Sequence, residues 1–213
     1  MLEIIFATTN PAKLAQMAYV IEATRAPVTL VAAWDRYGDL AAYDEYGPTA
    51  ASIAQHGALE IAKRVGAPVL TEDTSFHVET LNGEPGIHAG QFLKDQGRPG
   101  ILRKLKGNLH RTARIVSAAC WATPYGESQT WVTVIRGVVS QQEAWADDQP
   151  EWVAPSPDDP LGGGYNAIFI PIYEKRTLAQ IPPRDALLIG YREPNFSAAL
   201  AFVQSNAAMR VRP

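Results

Sequence analysis

The chain is poor in the features that mark several common classes of protein. It holds one cysteine, Cys120, in 213 residues, which excludes an intrachain disulfide and any cysteine-based zinc site. Set in the apolar run "ARIVSAACWAT", that thiol reads as a small buried hydrophobe rather than a nucleophile. No segment reaches the ~18 apolar residues of a membrane span. The start, "MLEIIFATTN", has no basic leader and only a short apolar stretch, so no signal peptide is expected and a cytoplasmic location follows. Neither sign of charge is in excess: 19 Lys and Arg against 22 Asp and Glu leave a formal net charge of −3. With no basic field, and no basic stretch interleaved with aromatics, binding of DNA or RNA polymers is disfavoured. Internal repeats are absent, and so is a G-x-x-x-x-G-K-[ST] phosphate loop.

What is present is a regular alternation. "LEIIFATT" reads as a buried strand, and "NPAKLAQMAYVIEATR" as a helix with Pro11 in its first turn and Leu14, Met17, Ala18 and Ile21 on one face. "VTLVAAW" is a second strand. "TAASIAQHGALEIAKRVG" is a helix capped by Thr49 and stopped by Gly66. "PVLTED" and "SFHVETL" form a strand and its continuation, and "GILRKLKG" a helix fragment. "RTARIVSAACWATP" and "ESQTWVTVIRGVVS" read as an antiparallel hairpin turning at Pro124 and Gly126. A loop, "DDQPEWVAPSPDDPLGGG", leads to the strand "AIFIPIY". The helix "NFSAALAFVQSNAAM" follows, with a frayed tail, "RVRP". The order predicts an α/β fold with a mixed sheet flanked by helices, and the length of 213 residues suits one large domain or two small lobes.

Three places carry possible chemistry. In "ATTNPAK", Thr8, Thr9 and Asn10 sit between a strand and a helix N-terminus, an arrangement suited to anions, with Lys13 one turn in. A plain helix cap and a solvated lysine are the competing account. In "YDEYGPT" and "PVLTEDTSF" stand Glu45, Glu72 and Asp73. Burying carboxylates without partners costs several kcal/mol, so something positive should meet them. Mg²⁺, which takes carboxylate and substrate phosphate oxygens, would serve, as would the chain's own lysines and arginines. In "PLGGGYNAIF" and "IGYREPNFS", Gly162, Gly163 and Gly164 permit close backbone approach, Tyr165 offers a flat face and Arg192 a fork of donors.

Taken together and in order, these places resemble the inosine triphosphate pyrophosphatase family. That family's T-G-N-x-x-K stands here as "TTNPAK", its E-x-Q-G turn as "EYG", and its acidic pair with L-N-G-x-P-G as "EDTSF" and "LNGEPG". Its G-[FW]-G-[YW]-D-P-x-F stands as "GGGYNAIF" and its closing S-H-R as "GYR". The resemblance implies a single domain spanning 1–213, an elongated molecule of two lobes with the active site in the cleft between them, usually a homodimer. It also implies Mg²⁺-dependent cleavage of nucleoside triphosphates between the α- and β-phosphates. Thr8, Thr9, Asn10 and Lys13 would hold phosphate, and Glu45 and Asp73 the metal. Asp73 would activate water with Glu72 close by, and Tyr165, Asn166, Tyr191 and Arg192 would face the base.

The departures fall mostly on base recognition. Thr9 replaces the glycine of T-G-N, and Gln55, His56 and Gly57 stand where a phosphate-contacting lysine is often found. Gly163 stands for the stacking aromatic, Asn166 for the base-reading aspartate, and Gly190-Tyr191 for Ser-His. A roomier pocket and a changed base preference are therefore expected, with a catalytically weak nucleotide binder as the alternative. The related Maf-type pyrophosphatases open with S-x-S-x-R, which "ATTNPAK" lacks.

Overall fold

The computed structural model describes residues 2–210. In chain order it contains β1 (Leu2–Ala7), α1 (Pro11–Thr24), β2 (Val28–Ala32), α2 (Ala33–Tyr37), α3 (Ala50–Val65), β3 (Val69–Val78) and β4 (Pro85–Gly86). These are followed by α4 (Ala89–Lys104), β5 (Thr112–Ala122), β6 (Ser128–Val139), β7 (Phe169–Pro171), α5 (Pro183–Ile189) and α6 (Glu193–Arg210). Among the described residues the strands form one sheet, ordered β2-β1-β3-β5-β6-β7, with β4 paired to β3. β1 runs parallel to both β2 and β3, whereas β4 and β7 are antiparallel to β3 and β6. The α/β class and the mixed sheet are as the alternation of elements predicts.

The helix ends follow local chemistry. Asn10 caps α1 by accepting the Ala12 N–H, and Pro11 opens the helix where no donor is needed. Thr49 and Ser52 form a reciprocal capping box on α3, and Gly66 closes that helix at φ 68°. Elsewhere the structure departs from the sequence reading. Ala33 and Trp34, expected to end β2, begin α2. The helix expected at "GILRKLKG" starts upstream at Ala89 and is broken at Gly97 (φ 62°, ψ −176°), two residues before Pro99. β7 keeps only Phe169–Pro171 of the expected strand, because Asn166–Ile168 is a 3₁₀ turn. The expected frayed tail at 210–213 lies, beyond Arg210, outside the described residues.

The chain divides into two compact units. The first comprises the described parts of Met1–Asp73, Ser117–Thr133 and Arg192–Pro213. Its core joins Phe6, Met17, Val20, Ile61, Leu70, Cys120 and Phe196, all buried, with Phe6 and Phe196 edge-to-face at 5.5 Å. Cys120 is thus the buried small side chain its surroundings predict. The second unit comprises Thr74–Val116 and Val134–Tyr191, with Phe76, Ile101, Leu105, Ile115, Tyr165, Phe169 and Tyr191 at its centre.

The buried stripe of α1 lies one residue earlier than apolarity alone predicts. Gln16, Met17 and Val20 point inward, Ala18 is exposed, and Ile21 is only half-buried. The inward face therefore carries a polar Gln16 one turn beyond Lys13, and the candidate site explains why.

Candidate active site

Parallel pairing of β1 with β3 sets the geometry. Ala7 pairs with Thr71, so the residues that follow, the Thr8–Asn10 turn and the Glu72–Asp73 pair, emerge side by side. The turn is tied internally: Thr8 Oγ1 accepts the Asn10 N–H at 3.1 Å, and Thr9 and Asn10 are exposed. On the other side, Thr71 Oγ1 donates to the Ala54 carbonyl of α3 at 2.6 Å.

Glu72 is 2% exposed. Its Oε2 accepts from Lys13 Nζ at 2.9 Å and from Arg192 Nε at 3.2 Å, while Oε1 accepts from Ser117 Oγ at 2.8 Å. Lys13 also donates to the Glu72 carbonyl at 2.9 Å. The positive partner of Glu72 is therefore a lysine–arginine pair. The expectation that a metal ion would balance the acidic set is corrected for this residue, because two protein cations already compensate its burial.

A further ring of polar residues surrounds these groups. Asn195 Nδ2 donates to both the carbonyl and Oγ of Ser117 at 3.0 Å, and its Oδ1 accepts from Thr133 Oγ1 at 2.8 Å. Gln16 Oε1 accepts from Arg192 Nη1 at 3.2 Å, and Gln16 Nε2 donates to Glu193 Oε1 at 2.7 Å. Glu193 is 2% exposed, and its Oε2 has no hydrogen-bond partner among the described residues. Burial pushes its carboxyl up from the ordinary value, against the opposing pull of the Gln16 amide and the Arg192 charge. Sequence reasoning missed Gln16, Ser117, Glu193 and Asn195. A signal existed for two of them: Gln16 is three residues after Lys13 on α1, and Asn195 is three after Arg192 in the first turn of α6, so each lies about one turn from a recognised residue.

Tyr43 was also missed. Burial, and then the negative fields of Asp73, Glu45 and Glu72, push its phenol up from the ordinary value. One phenol thus feels all three acids that the sequence singled out. Its ring occupies the space above Gly57, where an added Cβ would overlap the ring itself. Glycine inside a helix costs about 1 kcal/mol relative to alanine, and here it makes a notch for Tyr43. Gly57→Ala is accordingly expected to lower the melting temperature instead of raising it, and to raise it in a Tyr43→Ala background. Thermal unfolding of the four proteins checks this, and a gain from Gly57→Ala alone would refute the notch.

Asp73 is 7% exposed and Glu45 is exposed. Among the described residues no group of three or more His, Cys, Asp or Glu side chains is arranged to hold a metal ion unaided. One or two carboxylates fit Mg²⁺ only in its usual mode with nucleotides, where substrate phosphate and water complete the shell.

The residues expected to face the base are placed differently. Tyr165 stacks on Phe76 at 4.4 Å and donates its hydroxyl to the Ala89 carbonyl at 2.9 Å. Asn166 Nδ2 donates to the Val153 carbonyl at 3.0 Å, and its Oδ1 accepts the Tyr191 hydroxyl at 3.3 Å. All three side chains are buried within the second unit, so both polar ends of Asn166 serve the protein. Arg192, grouped with them by the sequence, instead belongs to the first unit and meets Glu72.

Gly163 provides no extra room either. At φ 67° it packs against the Val153 carbonyl, into which a Cβ would run. The expected roomier pocket is corrected: this glycine is required by backbone packing. Arg98, also unforeseen, holds the loop through the Gly162 and Gly164 carbonyls at 3.2 and 2.7 Å.

Comparison with known proteins identifies relatives of nearly the whole chain. A family model described as the Ham1 family matches residues 4–202. A dITP/XTP pyrophosphatase of Methanopyrus kandleri is 30% identical over 158 residues, covering 74% of this chain and 77% of the relative. One from Exiguobacterium is 29% identical over 196 residues, covering 90% and 91%. Among solved structures, the Staphylococcus aureus Ham1 protein superposes with a TM-score of 0.75 at 20% identity, over 96% of this chain and 99% of its own.

Proposed function

The chain belongs to the Ham1 family, and from that premise we propose that it hydrolyses nucleoside triphosphates at the α–β anhydride, giving a nucleoside monophosphate and pyrophosphate. The observation that carries the reading is the convergence of Lys13, Glu72 and Arg192 beside the Thr8–Asn10 turn. The Thr8 and Thr9 hydroxyls donate to phosphate oxygens near the positive end of the α1 dipole. Lys13 turns from Glu72 toward the same phosphates. Asp73 orients and deprotonates the attacking water. Glu72 acts indirectly, by holding Lys13 and Arg192 at the strand end. Glu45 and Asp73 would hold Mg²⁺, which supplies charge neutralisation at the transferring phosphoryl group. The names of the relatives, dITP/XTP pyrophosphatases, support a non-standard purine nucleotide. With Asn166 and Tyr191 engaged inside the protein and Gly163 crowded by backbone, the family's base readers are missing from these positions, which supports a shifted base preference. The enzyme acts as a homodimer on free nucleotides in the cytoplasm, as the family resemblance implies.

Pyrophosphate release from ITP, XTP, dUTP and the four standard triphosphates, with and without Mg²⁺, tests this. Release is expected only with Mg²⁺. Lys13→Ala is expected to raise KM by about tenfold or more for every substrate alike, since a charged phosphate contact is worth some 1.5–3 kcal/mol. Orthophosphate as the product would overturn the assignment of the cleaved bond. A re-ranking of bases by Lys13→Ala would overturn its phosphate role. A preference of about a hundredfold or more for ITP or XTP over the rest, some 2.7 kcal/mol, would overturn the shifted preference.

A further inference from the structure

Glu193 is buried, titratable and without a part in the chemistry above, yet it ends a chain of contacts that reaches Lys13. Gln16 is the intermediate. An amide has one accepting and one donating end, and the structure uses both: Oε1 toward Arg192 and Nε2 toward Glu193. Arg192 has no acceptor to offer, so Gln16 helps to hold the guanidinium only while its oxygen faces that way. Glu193 Oε1, accepting from Nε2, is what fixes the amide in this orientation. With an apolar side chain at 193 the donating end of the amide loses its buried partner, and the Arg192 contact alone is left to hold the orientation.

We propose that Gln16 and Glu193 are positioning residues that lock Arg192 onto Glu72, so that Lys13 is free to engage substrate phosphate. The reason is electrostatic. When Lys13 leaves Glu72 for a phosphate, the buried carboxylate keeps Arg192 as its compensating charge. If Arg192 is loose, moving Lys13 exposes Glu72 to much of the cost of an uncompensated buried charge. Lys13 then stays with Glu72 and every triphosphate binds more weakly. This inference rests on the pyrophosphatase reading for its kinetic consequence, but the lock itself is independent of it.

Two measurements test it on the full chain. The first follows the Arg192 Nε–H resonance by NMR, assigned by its disappearance in Arg192→Lys. It should be protected from exchange in the wild type and in Glu193→Gln, which keeps the carbonyl acceptor, and lost in Glu193→Met. The second is kinetic. Glu193→Gln should stay near wild type, whereas Glu193→Met should raise KM about tenfold for each triphosphate, the size of one lost hydrogen bond, with a smaller change in kcat. Should Glu193→Met not fold, Gln16→Met takes its place in both arms with the same expected results. A protected Arg192 signal together with an unchanged KM in the Met variant overturns the proposal. So does a Glu193→Gln protein as impaired as Glu193→Met. Wild-type protein that releases no pyrophosphate sinks the functional reading, while the NMR arm still judges the lock.

Discussion

Asp73→Asn is expected to lower kcat by ~10²–10⁴-fold, the range typical for loss of a positioned general base, while leaving the fold intact. The substitution preserves shape and one acceptor but removes the charge that would deprotonate water and help hold Mg²⁺. The electrostatic setting sharpens the expectation. Asp73 is only 7% exposed, and keeping a charged carboxylate out of water is costly to the folded state. Removing one charge should leave the melting temperature unchanged or raise it, as is common where a site is arranged for function at the expense of stability. Measuring kcat and thermal unfolding on the same preparation decides the matter. Near-normal turnover would remove Asp73 from the chemistry, and a melting temperature lower by many degrees would make it a structural residue.

Glu72→Gln should show the opposite pattern, with stability as the main casualty. The carboxylate faces Lys13 and Arg192, whose side chains are only 15% and 14% exposed. A neutral amide leaves both cations largely out of water without their counter-ion. Breaking a buried ion pair from one side typically costs about 3–5 kcal/mol. For a chain of this size each kcal/mol lowers the melting temperature by roughly 2–4 °C, so a loss of about 6–20 °C is expected. A triple replacement of Lys13, Glu72 and Arg192 by methionine should recover much of that loss and abolish turnover, because apolar groups of similar size often pack as stably as a buried ionic cluster. An unchanged melting temperature in Glu72→Gln would show that the network contributes nothing to the fold. Recovery of turnover in the triple variant would show that it contributes nothing to catalysis.

Much of the scaffold was legible from local signals. Thr49 and Gly66 bound α3 because a hydroxyl acceptor and a left-handed glycine satisfy helix ends whatever the tertiary setting. The strands around Phe6 and Leu70 were legible because short β-branched or apolar runs have few other ways to be buried. Where two signals competed, the reading failed. Ala33-Trp34 continued an apolar run but turned into α2, and the stripe on α1 was read from apolar side chains alone, so it lay one residue late.

For the candidate site, residue order was enough to single out Lys13, Glu72, Asp73 and Arg192, since chemistry at a strand end or helix start leaves a local pattern. Order could not say which acid meets which cation. That Glu72 takes both Lys13 and Arg192 depends on the register of β1 against β3 and on where α6 begins, and contacts separated by 59 and 120 residues leave no local trace. Tertiary packing likewise decided that Gly163 is a crowded turn and that Asn166 spends both ends of its amide inside the protein. The sequence by itself determined most of the elements, the caps of α1 and α3 and the kind of chemistry. The partners of each buried polar group were decided only by tertiary structure, because a buried donor or acceptor must be satisfied by whatever the fold brings within hydrogen-bond reach.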